Sequence, residues 1–322
     1  MKLVTLKEVE AAQERIRGVA LRTPLVAWPG STDKDQLYLK AESLQPIGSF
    51  KLRGAYNMIA QLTPTECKRG VIAHSSGNHA QGVAYAARAR GVKATIVLPS
   101  TAPKIKVDAT RALGAEIVIS GPDSSDRIRE SEALAAKHGY VMVPPYNHLH
   151  IIAGTGTIGL EILEDMPDVK LVLAPVSGGG LVSGIAAAIK QRKPNVKVIG
   201  VEPEIAGDAQ ASLKAGKRIT FDPAKVNQTI CDGLRTTPVG EIPFEHIYKY
   251  VDDIVTVSEQ EIKQAVKMVL LQGRVLAEPS GAVTSAAWLF HRDKLPPAKK
   301  SVAVVSGGNI ASEILKEILA TA

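Results

Sequence analysis

The chain has 322 residues, 45% of them hydrophobic and 22% charged, the make-up of a globular protein long enough for two lobes. Basic residues outnumber acidic ones for a net charge of +7, but the two signs are interspersed, as in Arg127-Ile-Arg129-Glu130-Ser-Glu132, and aromatics are only 4%. That excludes a nucleic-acid-binding stripe, no apolar stretch reaches the ~18 residues of a membrane span, and the positive balance suits small anionic ligands at local sites.

In chain order, the polar start Met1-Lys2-Leu3-Val4-Thr5-Leu6-Lys7-Glu8 reads as the approach to a helix and lacks the pattern of a signal peptide. Ser49-Phe50-Lys51-Leu52-Arg53-Gly54-Ala55 then places a lysine among small and apolar residues at a predicted helix start. Beyond it, short β-branched runs alternate with helical stretches, which predicts an α/β fold with mainly parallel sheets. Strands are predicted at 71–74, 94–99, 116–120, 171–176, 197–202 and 301–305. Helices are predicted at 80–91, 103–114, 127–139 and 181–193, several stopping at the glycine expected of a left-handed cap.

Residues 68–147 hold a compact run of β/α units and are expected to form a small domain inserted into a large one made of 1–67 and 148–322. The segment 143–157 is the expected return crossing, where paired prolines and then glycines should interrupt regular structure. The helical stretch 310–322 ends the chain, so no appended regulatory domain is expected. Cys67 and Cys231 lie in neither a metal nor a Cys-x-x-Cys spacing, which favours a reducing cytoplasm.

Three glycine turns each follow a predicted strand: Ser75-Ser76-Gly77-Asn78-His79, Ser177-Gly178-Gly179-Gly180-Leu181 and Ser306-Gly307-Gly308-Asn309. In a parallel sheet such turns collect at the C-terminal edge, where ligands bind. The middle turn offers consecutive N–H donors without Cβ obstruction at a helix start, a phosphate cradle. A rival reading exists. Gly178-Gly-Gly180-Leu-Val-Ser-Gly184, with Glu202 at the end of the next strand, imitates the dinucleotide fingerprint of an NAD-dependent oxidoreductase, although its third glycine comes one place late.

The lysine segment, the three turns, Ala153-Gly-Thr-Gly-Thr157 and Glu278-Pro-Ser-Gly281 stand in an order and spacing that resemble, over nearly the whole chain, fold-type II pyridoxal-phosphate enzymes. Within that two-domain, tryptophan synthase β-like group, His79 and Lys-Leu-Arg-Gly-Ala resemble the serine/threonine dehydratase (ammonia-lyase) and serine racemase family rather than the cysteine and cystathionine synthases. The resemblance implies pyridoxal 5'-phosphate as cofactor, joined to Lys51 as a Schiff base. A lysine in that role must lose its proton, which partial burial favours. It further implies Phe50 against the pyridine ring, Asn78 on the ring oxygen, the Gly178, Gly179, Gly180 and Leu181 backbone on the phosphate, and Ser306 at the pyridine nitrogen. A hydroxyl there does not enforce a protonated ring, which favours loss of a β-leaving group over transamination. The implied activity is elimination from threonine or serine, giving a 2-oxo acid and ammonia; racemisation of serine and cleavage of 3-hydroxyaspartate are the alternatives.

In the resembled family Ser75, Ser76 and His79 lie in the loop around the substrate carboxylate, and a serine matching Ser76 can act as a second base on the face opposite the lysine. Arg127 matches an arginine of racemases and hydroxyaspartate dehydratases, placed for an acidic substrate or effector. Glu202-Pro-Glu-Ile-Ala206-Gly-Asp208 resembles the family's divalent-cation site, in which the two carboxylates and the Ala206 carbonyl suit Mg²⁺, Ca²⁺ or Mn²⁺. Relatives of this kind are commonly homodimers. Two departures stand out: Ser177 where relatives often carry a fourth glycine, and Thr155 where glutamine is common.

Overall fold

The computed structural model of the chain describes residues 1–75, 77–102, 104–121 and 124–320; Ser76 lies outside the described residues. After α1 (Leu6–Ile16), β1 (Leu25–Ala27) and β2 (Gln36–Ala41) lead to α2 (Lys51–Ile59) and the short α3 (Pro64–Arg69). A run of β/α units follows: β3 (Val71–His74), α4 (Asn78–Ala89), β4 (Ala94–Pro99), α5 (Lys104–Ala112), β5 (Glu116–Ser120), α6 (Ser124–His138) and β6 (Val141–Met142). Next come α7 (Leu149–Asp165), β7 (Leu171–Pro175), α8 (Gly180–Arg192), β8 (Lys197–Pro203), α9 (Asp208–Ala215), α10 (Pro223–Val226), α11 (Glu241–Tyr250) and β9 (Asp253–Val257). The chain closes through α12 (Glu259–Leu271), α13 (Pro279–Phe290), β10 (Lys300–Val305) and α14 (Ser312–Ala320).

The strands form two sheets. The larger runs β1-β2-β10-β7-β8-β9 and is parallel except for the antiparallel β1–β2 pair; the smaller runs β5-β4-β3-β6 and is parallel throughout. This is the expected α/β architecture. Its central strands are apolar on both faces, as a sheet covered by helices on each side requires. Along β10, Val302 and Val304 join a core with Ile158, Val182, Ile185 and Ile247, whereas Ala303 and Val305 face Val266, Val269, Val283 and Ala286 of α12 and α13. A third core, under the small sheet, takes in Leu52 and Ile59 of α2 beside Val71, Ala73, Val83 and Ile96. The helix that begins at Lys51 is thereby packed to the small sheet.

One expectation is corrected. The glycines of 153–157 do not interrupt regular structure, because they lie inside α7. Their bare Cα atoms let helices touch: a Cβ at Gly154 would sit 2.6 Å from the Arg53 carbonyl oxygen, and one at Gly156 2.9 Å from that of Gly184. Helix propensity disfavours glycine by about 1 kcal/mol, and close packing of α7 on α2 and α8 overrides it. Only the preceding stretch 143–148 is irregular.

Beneath α2 lies a buried cluster of four charges. Arg53 donates to Glu42 (2.8 Å from both Nε and Nη2) and to Glu161 (2.6 and 2.9 Å), while Lys40 donates to Glu161 at 2.6 Å. All four side chains are almost wholly inaccessible. Thr23 and Gln45 donate to Glu42, and the Arg53 and Lys40 nitrogens also reach the Leu21 and Thr23 carbonyls. Burial pushes the Glu42 carboxyl up, but Arg53 and Lys40 overcome it and hold the group below the usual carboxylate range. Removing one member strands the others in a medium that cannot solvate them, at about 3–5 kcal/mol. Glu161→Ala is therefore expected to lower unfolding free energy by about that amount, measured by urea denaturation, whereas Glu164→Ala at the exposed end of the same helix should change it by less than about 1 kcal/mol.

Candidate active site

The three glycine turns meet where the sequence placed them, beyond the C-terminal ends of β3, β7 and β10. The third of them is stitched directly to the lysine segment and to Glu278. Phe50 N–H donates to the Ser306 carbonyl at 3.0 Å, Gly308 N–H to that of Gly48 at 2.9 Å, and Glu278 N–H to that of Gly307 at 3.0 Å. Lys51, the first residue of α2, points its ammonium at the Pro145 carbonyl, 2.8 Å away, and lies 5.0 Å from the centre of the Phe50 ring. Desolvation brings its pKa down to about 8, against the opposing charge of Glu278. Lys51, Phe50, His79, Pro145, Thr155, Gly180 and Leu181 line one enclosed cavity of about 10 Å³.

The phosphate-cradle candidate is built by the β7–α8 turn. Gly179 takes φ 88°, a left-handed conformation that suits glycine, and a Cβ there would press on Pro243, Val239 and Ile247. Ser177 holds φ 54°, in the same region, a conformation uncommon for a residue other than glycine. Thr155, the second departure, donates its hydroxyl between the Ile152 and Gly180 carbonyls at 2.9 Å each, so α7 latches the turn. The Tyr146 ring lies over the turn, in the space that a Cβ on Gly178 would need.

The loop after β3 is partly described. Ser75 Oγ accepts from Gly77 N–H, and Asn78 opens α4. His79 is buried with Nε2 2.8 Å from the Val143 carbonyl; desolvation and the nearby Lys51 charge depress its pKa to about 3, so its ring is neutral. Nε2 accordingly carries the proton. Arg127 is half-buried on α6; burial first, and then the Arg127 charge, lowers the pKa of His74, the residue before Ser75.

Glu202, next to last in β8, and Asp208, the first residue of α9, are both wholly buried. Desolvation, then the Asp208 charge, pushes the Glu202 carboxyl well above its usual range against backbone N–H groups of Gln210, Ala209 and Ser177. Burial raises Asp208 to about 7, opposed by the Val239 N–H. Among the described residues Glu202 Oε1 and Asp208 Oδ1 have no hydrogen-bond partner. Two facing carboxylates with orphaned oxygens are a donor set suited to a hard cation.

A family model described as pyridoxal-phosphate dependent enzyme matches residues 16–307. The chain belongs to that family. It is 45% identical to the L-threonine ammonia-lyase of Thermotoga maritima, covering 98% of this chain and 78% of the relative. It is 38% identical to the catabolic L-threonine dehydratase of Escherichia coli, covering 95% and 93%. Among solved structures it superposes on maize serine racemase with a TM-score of 0.93 at 36% identity, over 98% of this chain and 97% of that one.

The residues present fit pyridoxal phosphate, and the dinucleotide reading is set aside with the family. The first-turn N–H groups of α8 at Gly180, Leu181 and Val182 have no backbone acceptor among the described residues, which leaves them for an anion. A desolvated amine, a flat apolar ring (Phe50), and polar groups at Asn78 and Ser306 complete the set. A larger open groove of about 670 Å³ lies elsewhere, at the N-terminal edge of the large sheet. Its Arg22 and Lys300 are ion-paired to Glu164 and Asp168, and it holds none of this chemistry.

Sequence reasoning gave no role to Glu278, Asn309 or Arg53, all of which contact the site or its support. The signal for the first two was their place in turn motifs already singled out. For Lys51 a pKa near 8 has a direct consequence. In the cofactor-free protein at pH 7.5 roughly a quarter of this amine is neutral, against about one in a thousand for an exposed lysine. Amine acylation followed by peptide mapping against pH is expected to show half-maximal labelling of Lys51 near pH 8, about two units below the surface lysines.

Proposed function

We propose that this chain is a pyridoxal-phosphate-dependent ammonia-lyase that converts L-threonine, L-serine or both to 2-oxobutanoate or pyruvate and ammonia. The carrying observation is the desolvated Lys51 amine where the three glycine turns converge. When bound, the cofactor supplies an aldehyde that condenses with amines and a conjugated ring that delocalises the electron pair left by Cα–H cleavage. Lys51 Nζ would hold the aldehyde and, in its neutral form, would serve as the base for the Cα proton. Phe50 would pack on the ring, Asn78 would donate to its oxygen, Ser306 would meet its nitrogen, and the Gly178–Leu181 backbone would bind the phosphate. Ser75 and Ser76 hold the substrate carboxylate with His79 as a neutral neighbour, and Arg127 screens what enters from the small sheet. In this reading residues 68–147 form the small domain, and 1–67 with 148–322 the large one.

Glu202, Asp208 and the Ala206 carbonyl bind Mg²⁺, Ca²⁺ or Mn²⁺, with water completing the shell. The proposal is of a cytoplasmic homodimer. The two free cysteines fit a reducing compartment, and the chain has no helix long and apolar enough to cross a membrane among the described residues.

Borohydride treatment of the loaded protein should fix the cofactor covalently to Lys51, and Lys51→Ala should reduce turnover to background. Both enantiomers of threonine, serine and 3-hydroxyaspartate, assayed for ammonia and 2-oxo acid, should show L-threonine or L-serine as the preferred substrate. Preference for 3-hydroxyaspartate, or inversion of serine without ammonia, would move the reading to the alternatives. Adding Mg²⁺, Mn²⁺ or Ca²⁺ to chelator-treated protein is expected to raise its thermal midpoint, a rise that Asp208→Asn removes; no rise with any of the three would rule out the cation site.

A further inference from the structure

Asn78, at the first position of α4, carries a primary amide whose two ends look alike in shape and opposite in hydrogen bonding. Which end faces which neighbour is fixed here by a chain of four groups. At one end is the Ile47 carbonyl, an acceptor only, which takes a hydrogen bond from Asn309 Nδ2 at 2.8 Å. The same nitrogen donates its other hydrogen to Asn78 Oδ1 at 2.7 Å. Asn78 Nδ2 then donates to Glu278 Oε1 at 2.7 Å. An ionised carboxylate is again an acceptor only. With acceptors at both ends, neither amide can turn over without setting two acceptors, or two donors, against each other.

The packing leaves no slack. A Cβ on Gly307 would collide with Glu278 Oε1, and one on Gly48 with Asn309 Oδ1. Glu278 is 4% exposed and caps the start of α13, while Asn309 belongs to the turn that begins with Ser306. Four separate stretches of chain therefore meet on one amide. Within the described residues, one Nδ2 hydrogen of Asn78 has no protein acceptor.

We propose that Glu278 and Asn309 are positioning residues that lock the Asn78 amide with its remaining N–H presented to the cofactor's ring oxygen. The inference rests on the reading of Asn78 given above. An amide turned the other way would offer Oδ1, an acceptor, to an oxygen that needs a donor when it is ionised. The lock therefore fixes the polarity of the contact as well as its place.

The test uses purified apo-protein reloaded with pyridoxal phosphate. It reads the dissociation constant of the cofactor and the ratio of its long- to short-wavelength absorbance bands, which reports the protonation of the ring oxygen. Glu278→Ala and Asn309→Ala are expected to weaken cofactor binding by about tenfold each, the worth of one misdirected hydrogen bond, and to shift the band ratio toward the protonated form. Glu278→Gln, which keeps an acceptor oxygen within reach of Asn78, should stay within about twofold of the unsubstituted protein. The double variant Asn78→Ala/Glu278→Ala should be no worse than Asn78→Ala alone, since the second residue acts through the first. If Asn78→Ala disturbs both readouts while Glu278→Ala and Asn309→Ala leave them unchanged, the positioning inference is overturned and the reading of Asn78 stands. If Asn78→Ala itself changes nothing, both fall. A Glu278→Gln variant as impaired as Glu278→Ala also overturns the lock, because charge rather than direction would then matter. Should Glu278→Ala fail to fold, Asn309→Ala and Glu278→Gln decide the matter with the same two readouts.

Discussion

An amine that must be deprotonated has to leave water, and an amine that must be aimed has to be rigid. Lys51 meets the first demand by desolvation, which weakens its hold on a proton with only Glu278 opposing. The second is met two residues further along, where Arg53 enters a closed box of two acids and two bases that spans β2, the turn after it, α2 and α7. The box is formally neutral, so it adds little field at Lys51. Taking four charges out of water is unfavourable in itself and is offset only by their mutual hydrogen bonds. Such an arrangement gains more in definition than in stability, since a helix anchored this way has one register in which all the partners are satisfied.

The same economy of space governs the rest of the pocket. Helix α7 brings glycines against α2 and α8, and those contacts set how near the lysine segment lies to the β7–α8 turn. Thr155 sits on that face and ties the Gly180 carbonyl to α7. Cofactor affinity in this family therefore depends on helix packing well away from any group that touches the ligand, because the donors are backbone N–H groups whose positions only packing can fix.

Much of this was legible beforehand. The six predicted strands appear to within one residue at each end, because buried parallel strands write themselves as β-branched runs bounded by turns. Strands β1 and β6 were too short to signal, and β9 begins with a polar Asp253. The nature of α7 was misread for a physical reason: glycine in sequence reports backbone freedom, whereas here it reports contact between helices. The cofactor pocket was legible because its residues sit in short motifs. Glu42, Lys40 and Glu161 were not, because a buried ion pair joins residues more than a hundred positions apart and carries no local pattern. Ser76 lies outside the described residues.

The acid pair and the phosphate-cradle turn share their wiring. Glu202 follows Val201, whose carbonyl accepts from the N–H of Val176, the residue before that turn. Asp208 accepts from Val239 N–H, and the next residue, Gly240, donates to the Gly178 carbonyl. Each carboxylate is thus one peptide removed from a bond that shapes the turn, and Ser177 is already held in a left-handed conformation uncommon for its type. Two acids with raised pKa values share one proton-or-cation balance, since each ionised form disfavours the other. The path from the pair to the turn is therefore short and made of backbone.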